Sequence, residues 1–326
     1  MNVIGIDVSK DKLDCLWLRD GATGKVKSKV FNNQSDQHKA LVEWSIKNLS
    51  CDATEILFVM EATGIYHEAL AYFLYEAGAQ VAVVNPARIR DYARALGSHT
   101  KNDKQDSRVI AHYGATQQPE LWQPEPPAVR ELKALLARLE AVDKDSQREE
   151  NRLEKATFSQ ASVEVIGSIG NMLAVLAAEK KRLEKLIDDH INSDPTLKSD
   201  TALLKSIPGV GDVLSRYMAM TYHSRNFQSA AQMAAYLGVV PVEYQSGSSV
   251  RGRPRMSKAG SGVIRSKLYM PAVVAMQHNK QARELYQRLL KNGKSKMAAI
   301  GAVMRKIVHV CFGVLKHQLA YSLQAA

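Results

Sequence analysis

The chain has 326 residues, 45% hydrophobic and 24% charged, with a formal net charge of +11. That is chain enough for two or three cores of a soluble, multidomain protein, and no uninterrupted apolar run approaches the roughly 18 residues of a membrane span. Cys15, Cys51 and Cys311 are far apart and in no metal-ligand spacing, and no secretory leader precedes the first apolar run, so a reduced, cytoplasmic setting is expected.

The first elements read as strands. Ile4-Gly5-Ile6-Asp7-Val8 is an apolar run carrying a carboxylate, and Leu13 to Leu18 and Lys25 to Phe31 follow it, which predicts a three-stranded antiparallel meander. A helix is expected from about Asp36 to Leu49. Glu55 to Met60 then suits a buried parallel strand, with Glu61 at its C-terminal end, the edge where open α/β sheets collect ligands. After another helix and the strand Gln80 to Val84, a helical segment beginning near Lys101 offers Asp103 and Asp106, whose i, i+3 spacing puts both carboxylates on one face.

This order of strands and helices resembles a ribonuclease H-like sheet, which would bring Asp7, Glu61, Asp103 and Asp106 together. Clustered carboxylates repel and raise one another's pKa unless a cation neutralises them. Oxygen donors select magnesium, or manganese, over zinc, and two such ions can clamp the attacking and leaving oxygens of a phosphodiester. The plainer reading of Asp103 and Asp106 is an acidic helix start favoured by the dipole. For each carboxylate alone the plainer reading holds; for the set of four, the metal site does.

Pro119, Pro124, Pro126 and Pro127 mark a boundary, giving a first domain of residues 1–127. Two long helices are expected in residues 128–194. One carries Leu132, Leu135, Leu136, Leu139 and Val142; the other, from about Val163 to Ile191, carries Ile169, Leu176 and Leu183, widened by Leu173, Leu186 and Ile187. Such stripes suit an antiparallel pair or a coiled coil with another subunit. Asp194-Pro195 closes the second helix.

Residues 195–326 hold 19 Lys and Arg against four Asp and Glu, so all the excess positive charge is here, as expected of a nucleic-acid-binding region. Ile207-Pro208-Gly209-Val210-Gly211 resembles the turn of a helix-hairpin-helix, in which Gly209 and Gly211 let backbone amides approach a phosphate. The same turn also serves as a tight connection touching no nucleic acid. Between Tyr244 and Lys258, serines and glycines interleave with Arg251, Arg253, Arg255 and Lys258, a segment unable to sustain a regular helix and suited to phosphate. It can also present a nucleophile. No histidine lies near it in sequence, so a hydroxyl there needs activation from the metal site, and Ser246, Ser248, Ser249, Ser257 and Tyr244 all remain candidates.

The combination of Gly5-Ile6-Asp7-Val8-Ser9-Lys10, Glu61-Ala62-Thr63-Gly64-Ile65-Tyr66, Asn85-Pro86, Asp103 with Asp106, Ile207 to Gly211, Ser246 to Gly252 and Tyr269-Met270-Pro271-Ala272 resembles the DEDD transposases of insertion-sequence family 110, in order across nearly the whole chain. Asn102, where the family usually has Thr, and Ser107, where Ala is common, depart from it. The resemblance implies a RuvC-like N-terminal domain, a helical coiled-coil linker and a mainly α C-terminal transposase domain. It implies magnesium on Asp7, Glu61, Asp103 and Asp106 and Ser246 as the nucleophile joined covalently to DNA, while the turn and basic loop read above put Gly209, Gly211, Ser248, Ser249 and the four cations on nucleic acid. It further implies an element-encoded bridge RNA as guide, donor and target double-stranded DNA as partners, a dimer assembling to a tetramer, and a bacterial cytoplasm as the setting, at the nucleoid when acting. The rival readings are a RuvC-like nuclease using water, an actin-like ATPase or sugar kinase, and a non-catalytic RNA-binding scaffold.

Overall fold

A computed structural model describes residues 2–19, 25–97, 102–246, 250–252 and 254–322, with the main chain alone at 246, 250 and 251. The chain divides into two compact units, Met1–Pro124 and Glu125–Ala326.

In the first unit, β1 (Asn2–Val8), β2 (Lys12–Leu18) and β3 (Val26–Asn32) form an antiparallel meander. Strands β4 (Ile56–Glu61) and β5 (Gln80–Val84) add in parallel beyond β1, giving the order β3-β2-β1-β4-β5. This is the ribonuclease H-like arrangement expected from the sequence. The first five residues of β4 are all buried because helices cover both faces of the sheet. Helices α1 (Ser35–Leu49) and α2 (Glu68–Glu76) set Leu41, Leu70 and Leu74 against Ile4, Ile6, Phe58 and Met60 on one face. Helices α3 (Pro86–Ala95) and α4 (Asp103–Gln117) set Ile89, Val109, Ile110 and Tyr113 against Val3, Leu57, Val59 and Val84 on the other.

Two glycines decide how closely α4 lies on the sheet. A Cβ on Gly5 would stand 2.3 Å from the Ala111 nitrogen and 2.4 Å from the Ser107 carbonyl oxygen, and one on Gly114 would stand 2.5 Å from Val59. The absent side chains let the helix backbone rest on β1 and β4.

The second unit opens with an antiparallel pair, α5 (Pro127–Phe158) and α6 (Val163–Ser193). Val129, Leu132, Leu136, Ile187 and Ile191 join the core of the unit, whereas Phe158, Val163 and Val175 at and beyond the connecting turn are exposed. Asp194 both ends α6 and caps α7 (Pro195–Lys205), its carboxylate accepting from the Leu197 N–H at 2.8 Å. Then follow α8 (Asp212–His223), α9 (Ala230–Tyr236), two two-residue ladders made by β6 (Pro241–Val242), β7 (Gln245–Ser246), β8 (Val250–Arg251) and β9 (Arg255–Met256), and helices α10 (Gly262–His278), α11 (Lys280–Lys291) and α12 (Lys296–His317). Among the described residues α12 alone has the length and apolar composition to cross a membrane, and 61% of that stretch is buried within the protein. It is the central core helix, burying Val303, Ile307, Val308, Cys311 and Phe312.

Candidate active site

Strand periodicity places Asp7. Residues Val3, Gly5 and Asp7 share one face of β1, and Gly5 is the point where α4 touches that face. In the parallel ladder Ile6 pairs with Met60, so Asp7 and Glu61 occupy the next step on the two neighbouring strands. On the α4 side, Asp103 and Asp106 form the first turn of the helix that Gly5 admits.

Asn102 is the N-cap of that helix, its side-chain oxygen accepting from the Gln105 N–H at 2.8 Å. Asn is as good a cap as Thr, so this departure from the family pattern keeps the helix start in place. Ser107 is buried, and its hydroxyl donates to the Lys104 carbonyl at 3.1 Å.

The electrostatics follow from this packing. The Asp7 carboxyl is pushed up to about 6, by burial first and then by repulsion from Asp106, Asp103, Asp14 and Glu61. Asp14 was not among the sequence candidates. It lies directly opposite Asp7 in the antiparallel register and is itself raised by burial and by Asp103, against the pull of Lys12. Like charges facing each other across a ladder destabilise it, so the strand pair carries a cost at this point. The signal for Asp14 was available only through the register: once the turn Ser9–Asp11 is fixed, residue 14 must face residue 7. Lys12 partly offsets the charge, its Nζ lying 3.9 Å from Asp103 Oδ2 with both side chains more than half exposed.

Among the described residues no three Asp, Glu, His or Cys side chains stand close enough to ligate one ion. The carboxylates are coupled, all on the same border of the sheet, but not drawn onto a common point. The donor set is nonetheless oxygen-only and electrostatically unbalanced, which suits a hard divalent cation and not zinc. Asp7, Glu61, Asp103 and Asp106, the four residues expected from the sequence to hold a metal, are near enough that the other three act on the charge of Asp7.

In the second unit, Gly209 has φ +97°, and a Cβ there would stand 2.9 Å from the Pro271 carbonyl oxygen of α10. Its lack of a side chain is therefore explained by packing as well as by the turn. Gly211, the N-cap of α8, is exposed with open space before it, and Asp212 beside it pairs with Lys205.

Ser246 ends β7 and pairs with Val250, with Gln245 opposite Arg251 and the Gly252 N–H donating to the Tyr244 carbonyl at 2.9 Å. The segment read as unable to sustain a regular helix thus contains a short antiparallel ladder, with Ser246 at the end of its first strand. Ser248, Ser249 and Arg253, and Lys101 in the first unit, lie outside the described residues. Tyr244 is 74% exposed, and Arg255 and Lys258 are exposed near the base of this ladder, Lys258 with a left-handed backbone at φ +56°. The base is anchored by Arg265, whose guanidinium donates to the Gly260 carbonyl at 2.9 Å.

Comparison with known proteins adds the following. A DEDD family model of IS110, described as Transposase, matches residues 4–158, and a second, described as Transposase IS116/IS110/IS902 family, matches residues 201–287. The Pilin gene-inverting protein of Moraxella bovis is 31% identical over 315 residues, 96% of this chain and 95% of that protein. The Insertion element IS110 uncharacterized 43.6 kDa protein of Streptomyces coelicolor is 25% identical over 158 residues, 48% of this chain and 38% of that one. Among solved structures, Thermus thermophilus RuvC aligns over 37% of this chain and 100% of its own, with 15% identity and a TM-score of 0.28.

Proposed function

The chain belongs to the IS116/IS110/IS902 family of transposases, enzymes that cleave and rejoin DNA, and from that premise we propose that it inserts and excises its own mobile element as an RNA-guided recombinase. Its nucleophile is Ser246. The observation that carries the reading is the full-length likeness to a protein named for inverting a gene segment. Inversion requires that every broken strand be rejoined. Hydrolysis by water leaves free ends and forfeits the bond energy, whereas attack by a serine hydroxyl exchanges one phosphate ester for another.

In this scheme the Ser246 Oγ forms a bond to phosphorus as a sugar oxygen leaves, and the step runs back when a strand end of the other duplex displaces the serine. No ATP is consumed. Asp7, Glu61, Asp103 and Asp106 would hold a divalent ion, magnesium in the first instance, which would supply positive charge against the carboxylates and the leaving oxygen. Partial burial of Asp7 and repulsion from its acidic neighbours disfavour its bare charge, which a bound cation would relieve.

The basic region from residue 195 onward binds phosphate backbones, with Gly209, Gly211, Ser248, Ser249, Arg251, Arg253, Arg255 and Lys258 as contacts. It contains no evident base-reading motif, so pairing with a bridge RNA selects the donor and target sequences. Subunits assemble as dimers and then tetramers, one supplying carboxylates to DNA that another's serine attacks.

The test is mass spectrometry of nuclease-trimmed protein from cells carrying the intact element. A nucleotide adduct is expected on the peptide containing Ser246, absent in Ser246→Ala and in Asp7→Ala. DNA cleavage with no adduct on any serine or tyrosine would establish water as the nucleophile and overturn the proposal in favour of a nuclease.

A further inference from the structure

Asp7 and Glu61 reach the sheet edge on separate strands, and each is followed by a loop: Ser9–Asp11 after β1, and residues 62–67 after β4. One side chain joins the two loops. The Asn33 carboxamide donates one N–H to the Ser9 carbonyl at 3.0 Å and the other to the Tyr66 carbonyl at 3.0 Å. Its oxygen lies 3.0 Å from His38 Nε2. Its main-chain N–H donates to the Asp11 carbonyl at 3.0 Å.

Both N–H groups of this amide have carbonyl partners, and that fixes its orientation. Only the NH₂ group can face two carbonyls, so the oxygen must face the imidazole, and Nε2 must carry the proton. His38 is 3% exposed on α1, its ring tilted against Phe73 of α2 with centroids 5.7 Å apart. Burial lowers its pKa, against the opposing pull of Asp36, and so favours the neutral ring that donates here. Gly64 turns the loop after β4 at φ +52°, and Ile65 and Tyr66 are exposed.

We propose that Asn33, held by His38, is a positioning residue of the carboxylate site: the ladder fixes the strand spacing, and Asn33 ties together the loops that follow Asp7 and Glu61, holding the two carboxylates oriented as ligands for a divalent cation. This rests on the metal-dependent reading given above. Groups that orient ligands without touching the metal typically change its affinity 10–100-fold when removed.

The experiment is calorimetric titration of the full-length, metal-free protein with Mn²⁺, together with its melting temperature before metal is added. Wild type is expected to bind, and Asp7→Ala to lose binding. Asn33→Ala is expected to weaken Mn²⁺ binding about tenfold or more, beyond what its melting temperature accounts for. His38→Leu should do the same, and His38→Gln, which keeps an N–H near the position of Nε2, should recover most of the affinity. Unchanged Mn²⁺ affinity in Asn33→Ala, with or without a lower melting temperature, would reduce Asn33 to a structural tie and overturn the inference while leaving the metal site standing. Failure of wild type to bind Mn²⁺ in an Asp7-dependent way would remove the metal reading, and this inference with it.

Discussion

Asp7 is held where the fold disfavours its charge. Its ordinary pKa of 3.8 is raised to about 6, so between those values the folded chain keeps a proton that the unfolded chain has released. Stability therefore falls as pH rises through that window, and the deficit persists above it. In metal-free protein, Asp7→Asn is expected to be more stable than wild type at pH 7 by about 1–2 kcal/mol, the two-unit shift discounted for partial solvent screening, with the gain gone below about pH 4. Chemical denaturation at a series of pH values measures it, and a variant equally or less stable at pH 7 would contradict the electrostatic account. A second acidic residue, Asp200, is 1% exposed on α7 and accepts from Gln318 Nε2 at 2.9 Å and from His223 Nε2 at 2.5 Å. Asp200→Ala removes the acceptor shared by His223 and Gln318 and is expected to cost about 2 kcal/mol. A loss under about 1 kcal/mol in a urea titration would show that the network contributes little.

At the scale of elements, the first unit was legible wherever one residue period decided the matter. The alternation Ile4, Ile6, Val8 and the apolar run Ile56–Met60 announced the strands, and Glu61 fell at the strand end as expected. Helix α3 was not anticipated, although Asn85-Pro86 is a cap followed by a proline at the first helical position, with the Asn85 side chain accepting from the Ala87 N–H. Strands β6 to β9 were also missed, because two-residue ladders carry no periodicity. Register and interhelix packing are invisible in the same way: nothing local says that Asp14 faces Asp7 or that Gly5 receives α4. That last approach is open to test. Gly5→Ala places a methyl 2.3 Å from the Ala111 nitrogen, with no flexible side chain to yield. Displacing α4 carries Asp103 and Asp106 away from Asp7, so a loss of about 3 kcal/mol or more together with loss of strand cleavage is expected. A folded, fully active Gly5→Ala protein would show that the helix is not seated by this glycine.

Over the whole molecule, charge and chemistry are divided between different stretches of sequence. The carboxylates belong to the first unit, whereas 19 Lys and Arg against four acidic residues lie from 195 onward. A site rich in acid repels a polyanion, so on the proposed reading affinity for nucleic acid comes from the basic region, through release of condensed counterions. The exposed cations near the ladder base, Arg255 and Lys258, sit close in sequence to Ser246 and make the division measurable. If both neutralise phosphates, the double variant Arg255→Gln, Lys258→Gln lowers the slope of log affinity against log salt by about 0.9 for each phosphate no longer neutralised. The weakening should be alike on unrelated duplex sequences, since groups that touch only the backbone carry no base information. Lys47→Gln, at the exposed end of α1, should leave the slope unchanged. Binding isotherms of the full chain on plain duplex DNA across a series of salt concentrations separate the outcomes. An unaltered slope in the double variant would move phosphate binding off the ladder base and onto other parts of the basic region, leaving the ladder to present its serine without anchoring the DNA strand.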